Sequence, residues 1–417
     1  MRDVRTIIIG AGQAGLALSW HLTANGHDHV VVDRGDIAHR WRHQRWDSLR
    51  TLTPNWMSRL PGRSYQGGDP NGFMAATELA ERLEHYATDF ALPVETRTTV
   101  ESVTRPDSRY RVVTDHDTLR SDNIVIATGW CDQPRVPHGA ASLPHHVVQL
   151  TSDRYRNPAQ VPDGSVLVVG ASASGVQIAD ELQRAGRDVV IAVGNHTRVP
   201  RSYRGVDILG WLERMGDLDR GLDAPADPRV HEPSLQLSGR SDGEAVDLGT
   251  LQAIGVRLAG RFESITGDRL RFGDDLRSTL AGADARMRRL LGRIDSHIAA
   301  HDLLPARDRE IIEAVTAGPT DNAIELGPRG VRSIVWATGF TRSYPWLHLP
   351  VFDRRGEIAQ RRGVTALAGC YTMGMRFQTR RRSTFIDGAR FDAAEIASHL
   401  LCVPRPTTAR AFAAVAS

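Results

Sequence analysis

Two glycine-rich turns carry the residue types that hold a phosphate. The first, Gly10-Ala11-Gly12-Gln13-Ala14-Gly15, follows the apolar run Thr6-Ile7-Ile8-Ile9 and opens into the helix-like stretch Leu16 to Leu22. In that context Gly10 permits a tight turn, Gly12 lets the backbone approach a pyrophosphate, and Gly15 lets helix and strand pack closely, while the helix N-terminus offers free N–H groups to the anion. The run Val30-Val31-Val32 ends at Asp33, 18 residues after Gly15 and placed to accept hydrogen bonds from ribose hydroxyls, with Arg34 beside it. The second turn, Gly170-Ala171-Ser172-Ala173-Ser174-Gly175, has Ser172 where the pattern has its middle glycine, but Ser165 to Val169 precedes it and Val176 to Leu182 follows. The next strand, Asp188 to Val193, ends in Gly194-Asn195-His196-Thr197-Arg198, with Arg201 and Arg204 beyond and no carboxylate. A carboxylate there would bind a bare ribose diol and repel a 2′-phosphate, whereas arginine accommodates one, so the pattern favours NADPH over NADH. A βαβ unit without ligand is the alternative for either turn. Two such cradles in one chain point to electrons passing from one nucleotide to another.

The elements that position these turns read as an α/β fold with two Rossmann-like dinucleotide-binding domains, the second inserted into the first. Ile124-Val125-Ile126-Ala127-Thr128-Gly129 and its near copy Ile334-Val335-Trp336-Ala337-Thr338-Gly339 are apolar strands ending in tight turns, elements through which a chain leaves or re-enters a nucleotide domain. We therefore expect a first nucleotide domain at 1–160, an inserted second one with helical segments at 161–330, a return to the first at 331–405, and a flexible tail at 406–417. Helical spacing marks Ala75 to Asp89 and Asp274 to Asp302, and short alternating runs between Thr98 and Arg120 form a small β-meander. Between Asp33 and the first of these helices lies a loop rich in arginine and tryptophan, including Arg40, Trp41, Trp46 and Asn55.

Composition excludes several classes. All 52 basic residues are arginine, so a Schiff-base, P-loop or other catalytic lysine is impossible. Cys131, Cys370 and Cys402 form no Cys-x-x-Cys pair, so a dithiol centre is not expected, and scattered thiols fit a reducing cytoplasm. A formal net charge of +3, with the arginines dispersed, does not point to nucleic acid. No run is long and apolar enough for a membrane span, and nothing resembles a signal peptide. His138, His145 and His146 match no metal pattern, so no metal is expected.

These motifs together resemble the bacterial flavin-containing monooxygenases, class B enzymes related to YUCCA and Baeyer–Villiger proteins, and most closely their CzcO-like flavoproteins. The resemblance rests on the two glycine turns, the loop from Arg40-Trp41 to Trp46-Asp47-Ser48-Leu49 and Leu52-Thr53-Pro54, the two Ala-Thr-Gly turns, and the closing Ser383-Thr384-Phe385-Ile386-Asp387-Gly388. It implies that Gly10, Gly12, Gly15, Asp33 and Arg34 bind FAD, with Arg40 and Trp41 near the flavin, Thr128 and Gly129 at the crossover, and Asp387 and Gly388 at a helix N-terminus facing the flavin; Asp387 is equally a helix N-cap. It further implies that Gly170, Ser172, Ser174, Gly175, Asn195, His196, Arg198 and Arg201 bind NADPH, with Thr338 and Gly339 there or at the crossover. Asn195-His196 is similar to a neutral Gln-His pair of members that also accept NADH. The implied catalytic residues are Asn55, Arg40 and Trp41; Asn55 is equally a turn residue after Pro54. Arg376 and Gln378 would stand beside the flavin if Gly369 to Gly374 marks the last strand. The implied chemistry is hydride transfer from NADPH to FAD, formation of a C4a-hydroperoxyflavin from molecular oxygen, and oxygen transfer to a small nitrogen, sulfur or carbonyl compound. The alternative is an oxidoreductase passing electrons to a protein or quinone. One departure stands out: Thr151 occupies the position of a histidine in the Baeyer–Villiger fingerprint. Oligomeric state is not legible.

Overall fold

The computed structural model describes residues 1–221, 234–240, 242–319, 322–328 and 330–402. The expected tail at 406–417 lies outside them. The strands that carry the chemistry are β1 Thr6–Ile9, β2 His29–Val32, β3 Val94–Glu95, β4 Asn123–Ile126, β5 Val148–Thr151, β6 Ser165–Val169, β7 Asp188–Ala192, β8 Arg257–Ala259, β9 Val331–Trp336, β10 Gln360–Arg361, β11 Val364–Thr365 and β12 Cys370–Thr372. The helices are α1 Gln13–Ala24, α2 His39–His43, α3 Ala76–Asp89, α4 Ala173–Arg184, α5 Ile208–Arg214, α6 Leu248–Ala253, α7 Leu276–Ala300 and α8 Ile386–Cys402.

These strands form two sheets, and the α/β class holds. The first has the order β10-β11-β12-β4-β1-β2-β3, and the second β5-β9-β6-β7-β8. β1 pairs in parallel with β2 and β4, and β6 pairs in parallel with β7 and β9. Parallel central strands are covered on both faces, which is why Ile7, Ile8, Val31, Val125, Val166, Leu167, Val190 and Val335 form unbroken apolar runs with at most 1% exposure. Helix α1 packs on α8 over one face of the first sheet, through Leu18, Leu22, Ala393 and Ile396. The meander, Val100–Thr104, Tyr110–Thr114 and Thr118–Ser121, joins Arg2–Asp3 in a separate four-stranded sheet.

The boundaries expected at 160 and 330 are corrected by this topology. β5 and β9 lie on the outer side of those limits, yet both belong to the second sheet, because β9 lies between β5 and β6 and pairs in parallel with each. The chain crosses between sheets at Gln133–Pro134 and returns at Phe340–Thr341, and these two segments pair antiparallel with each other. The near-repeated Ala-Thr-Gly turns therefore end homologous strands, β4 beside β1 and β9 beside β6. Their alanine carbonyls close the glycine turns: a Cβ added to Gly10 would sit 2.5 Å from the Ala127 oxygen, and one on Gly170 2.5 Å from that of Ala337.

Candidate functional site

Both glycine turns have the geometry their sequence demands. Gly10 and Gly170 adopt φ of +117° and +109°, a region that side chains resist, and added Cβ atoms on Gly15 and Gly175 would strike the carbonyls of Gly10 and Gly170. Gly12 differs: an added Cβ there meets nothing within 4 Å, so its missing side chain leaves open space at the N-terminus of α1. At the second turn Ser172 takes the same extended N-cap conformation without making a side-chain cap bond.

The open space at Gly12 belongs to a cavity of about 590 Å³. Gly10, Gly12, Asp33, Arg34, Arg40, Trp41, Thr128 and Gly129 all line it, so the structure brings these expected residues together although they span three segments of the chain. Asp33 is fixed by its backbone neighbours: the Ala11 N–H donates to one carboxylate oxygen at 2.7 Å and the Gly35 N–H to the other at 2.9 Å. The carboxylate thus ties the end of β2 to the turn after β1. Arg40 forms an ion pair with Asp132 at 2.6 Å, and its other terminal nitrogen is buried without a partner. The Trp41 indole N–H points at the Gln13 side-chain oxygen, at 3.4 Å.

Apart from Arg376, the other walls carry no signal as site residues in the sequence. Arg45 lies over the Trp41 ring, and burial pulls its guanidinium below the ordinary value, an effect partly offset by the nearby Cys131 thiol. Trp130, Cys131 and Asp132 follow Gly129 along the rim, where Arg342 and Arg376 flank the Trp130 ring at 4.1 and 5.4 Å. β12 confirms the expected last strand, and Arg376 reaches the cavity while Gln378 does not line it. Leu209, Leu235 and Leu237 enter from the second half of the chain, and Phe385 and Ile386 from the start of α8. Phe385 and Ile386 belong to the closing motif, but no motif signals the three leucines, because only the apposition of the halves brings them to the cavity.

Several expected site residues sit elsewhere. Asn55 is 4% exposed and does not line the cavity; its amide donates to the Asp69 carbonyl at 2.9 Å and its oxygen accepts from the Met74 N–H at 2.9 Å. It staples the loop, which is what a buried amide does when backbone groups surround it. Asp387 is fully buried and pairs with Arg59, Arg382 and Arg390, rather than facing the cavity. Gly388 serves packing, since a Cβ would strike the Arg382 carbonyl. Arg198 is held by Asp247 and Asp284, and Arg201 by Asp207 and the Leu52 carbonyl, so neither buried guanidinium is available to a phosphate. A buried cation must be paired, and apart from Asp207 these partners come from distant segments invisible in a local motif. His196 is 1% exposed with its Nδ1 on the Gly194 carbonyl, which leaves Asn195 as the exposed member of that pair. The Thr338 hydroxyl bonds the Arg135 carbonyl at the crossover. Thr151 ends β5, with its hydroxyl buried and unpartnered. Among the described residues, the grouping of potential metal ligands is Asp36, His39 and His43, and it contains none of His138, His145 and His146, which match no metal pattern in the sequence.

Two Rossmann-like sheets, each with a glycine turn before its first helix, define a two-nucleotide oxidoreductase fold. Residues 7–211 match the model of the pyridine nucleotide-disulphide oxidoreductases. Over 95% of this chain and 98% of the relative, the sequence is 32% identical to the CzcO-like oxidoreductase of Geobacillus kaustophilus, and the chain belongs to that CzcO-like family. It is also 27% identical, over 64% of this chain and 72% of the relative, to indole-3-pyruvate monooxygenase YUCCA1 of Oryza sativa. The solved flavin-containing monooxygenase of Stenotrophomonas maltophilia shares the fold with a TM-score of 0.66 at 18% identity, covering 96% and 99% of the two chains.

Proposed function

We propose that the chain is an NADPH-dependent flavin monooxygenase that oxidises a small organic molecule at a nitrogen, sulfur or carbonyl centre. The observation that carries this reading is the cavity, whose lining joins Gly12 and Asp33 to apolar side chains from both halves. The rice relative is named a monooxygenase, and the fold is shared with a flavin monooxygenase. Bound FAD and NADPH would supply the hydride transfer and oxygen activation. Around them the chain's own residues bind and orient. The α1 N-terminus and Gly12 take the pyrophosphate, Asp33 accepts from the ribose, Arg40 and Trp41 line the flavin side, and the second glycine turn receives the coenzyme. Leu209, Leu235, Phe385 and Ile386 exclude water from the part of the cavity they line and make it suitable for an apolar substrate. Cys131 lines the cavity, Cys370 is buried and Cys402 is exposed, so no cysteine pair serves disulfide exchange there. Three free thiols fit a reducing cytoplasm. Among the described residues no helix is long and apolar enough to cross a membrane.

The test is NADPH-driven oxygen consumption under ¹⁸O₂ with a panel of sulfides, amines and ketones. One labelled oxygen in the product is the expected result. Oxygen recovered wholly as hydrogen peroxide across the panel, with rapid reduction of a quinone or a protein acceptor, would establish the electron-transfer alternative instead.

A further inference from the structure

We infer that Arg286, on helix α7, is the residue that selects NADPH over NADH, by holding the 2′-phosphate at the end of β7. This rests on the reading that the second sheet binds a nicotinamide coenzyme.

The two sheets place equivalent residues by register. Val32 ends β2 and its carbonyl accepts from the Gly10 N–H; Ala192 ends β7 and its carbonyl accepts from the Gly170 N–H. The residue after each strand is therefore equivalent, and it faces the adenosine ribose in this fold. In the first sheet it is Asp33, whose carboxylate suits a bare diol. In the second it is Val193, buried and uncharged. Beyond it, an added Cβ on Gly194 meets nothing within 4 Å, and Asn195 is exposed. The strand end thus has room and no negative charge.

The positive charge arrives from far along the chain. Arg286 reaches over this loop, its Nη2 donating to the His196 carbonyl at 2.8 Å and lying 3.3 Å from the Asn195 side-chain oxygen. Both acceptors are neutral, and among the described residues no carboxylate pairs with Arg286. The arginines that the local sequence offered are neutralised instead: Arg198 by two aspartates, Arg201 by Asp207 and Arg204 by Asp295. Helix α7 cannot rotate away, because Ala283, Asp284 and Met287 are buried and Asp284 is clamped by Arg198 and the Val315 N–H. An exposed guanidinium fixed at a ribose-facing strand end, with its charge uncompensated, is a phosphate ligand.

The experiment measures binding of NADP⁺, NAD⁺, 2′,5′-ADP and 5′-AMP to the flavin-loaded protein by calorimetry, for the wild type, Arg286→Ala and Arg286→Lys. We expect Arg286→Ala to weaken NADP⁺ and 2′,5′-ADP about 10- to 100-fold, the loss of one charge-assisted contact, with NAD⁺ and 5′-AMP unchanged and Arg286→Lys in between. Equal weakening of all four ligands, or an unaltered NADP⁺ to NAD⁺ ratio, overturns the assignment of Arg286 alone. Failure of the wild type to bind either coenzyme overturns the functional reading beneath it. Arg286 is exposed, and an unchanged melting temperature would show that its variants are folded.

Discussion

Asp392 shows how much one side chain on α8 can cost. It is fully buried, accepts from the hydroxyls of Thr379 and Ser383, and leaves its second oxygen without a partner. Burial outweighs those bonds and pushes its pKa up from 3.8 to about 6. A raised folded-state value means that the stabilisation is present below the unfolded value and is lost as pH rises through about 6. Asp392→Asn keeps an acceptor for both hydroxyls and removes the buried charge. It should raise stability by about 1–3 kcal/mol at pH 8 and by little at pH 4. Urea unfolding of both proteins at the two pH values checks this, and a difference independent of pH would contradict it. Arg198 shows the opposite case, a buried charge fully paired. Asp284→Ala removes its most buried partner and leaves it Asp247 and the Glu313 carbonyl, so it should destabilise by roughly 1.5–3 kcal/mol in thermal or urea unfolding. Neither environment is legible locally: Arg198 reads as a ligand in sequence and proves to be a core ion pair.

At the scale of elements, the glycines of one turn do separable jobs. Gly15 exists so that α1 can lie on β1, and any side chain there collides with the Gly10 carbonyl. Gly12 exists for whatever occupies the cavity, since the protein itself leaves its side-chain space empty. Gly12→Ala should therefore fold, losing about 1 kcal/mol from the N-cap, yet bind FAD at least roughly tenfold more weakly. Gly15→Ala should fail to accumulate as folded protein. Melting of the flavin-free variants together with FAD titration separates the two effects, and normal flavin affinity in Gly12→Ala would contradict the role given to that space. These turns, with the strands and helices around them, were fully legible, because a tight turn between a buried strand and a helix leaves little choice of residue. Asn55 and Asp387 were not. Each is polar and near the cofactor loops in sequence, and only its partners decide whether it faces the cavity or the interior.

Across the whole molecule, Asp387 helps join the two halves. Arg59 and Arg382 each contact both Asp387 of α8 and Glu213 of α5, so one buried carboxylate and one partly exposed one share two guanidiniums. Burial alone would lower the affinity of both arginines for protons, but these carboxylates raise it above the ordinary value. Asp387→Ala leaves the fully buried Arg382 short of its closest partner and should cost roughly 3–5 kcal/mol, read as a lower melting temperature. Glu213→Gln, at the more exposed end, should cost at most about 1 kcal/mol. Equal losses would mean that the cluster is not anchored on Asp387.

The chain's sequence determined its fold class, the two glycine turns, the pairing of Asp33 with the first of them, and the absence of a dithiol. Each follows from short-range rules: apolar runs for buried parallel strands, glycine for positive φ and close approach, residue spacing for what stands at a strand end. The tertiary structure decided which arginines are free, where the chain crosses between its sheets, and which side chains wall the cavity. Charge pairing and apposition join residues as distant as Arg198 and Asp284, or Asn195 and Arg286, and burial then fixes which cations are consumed in the interior and which remain to meet a ligand.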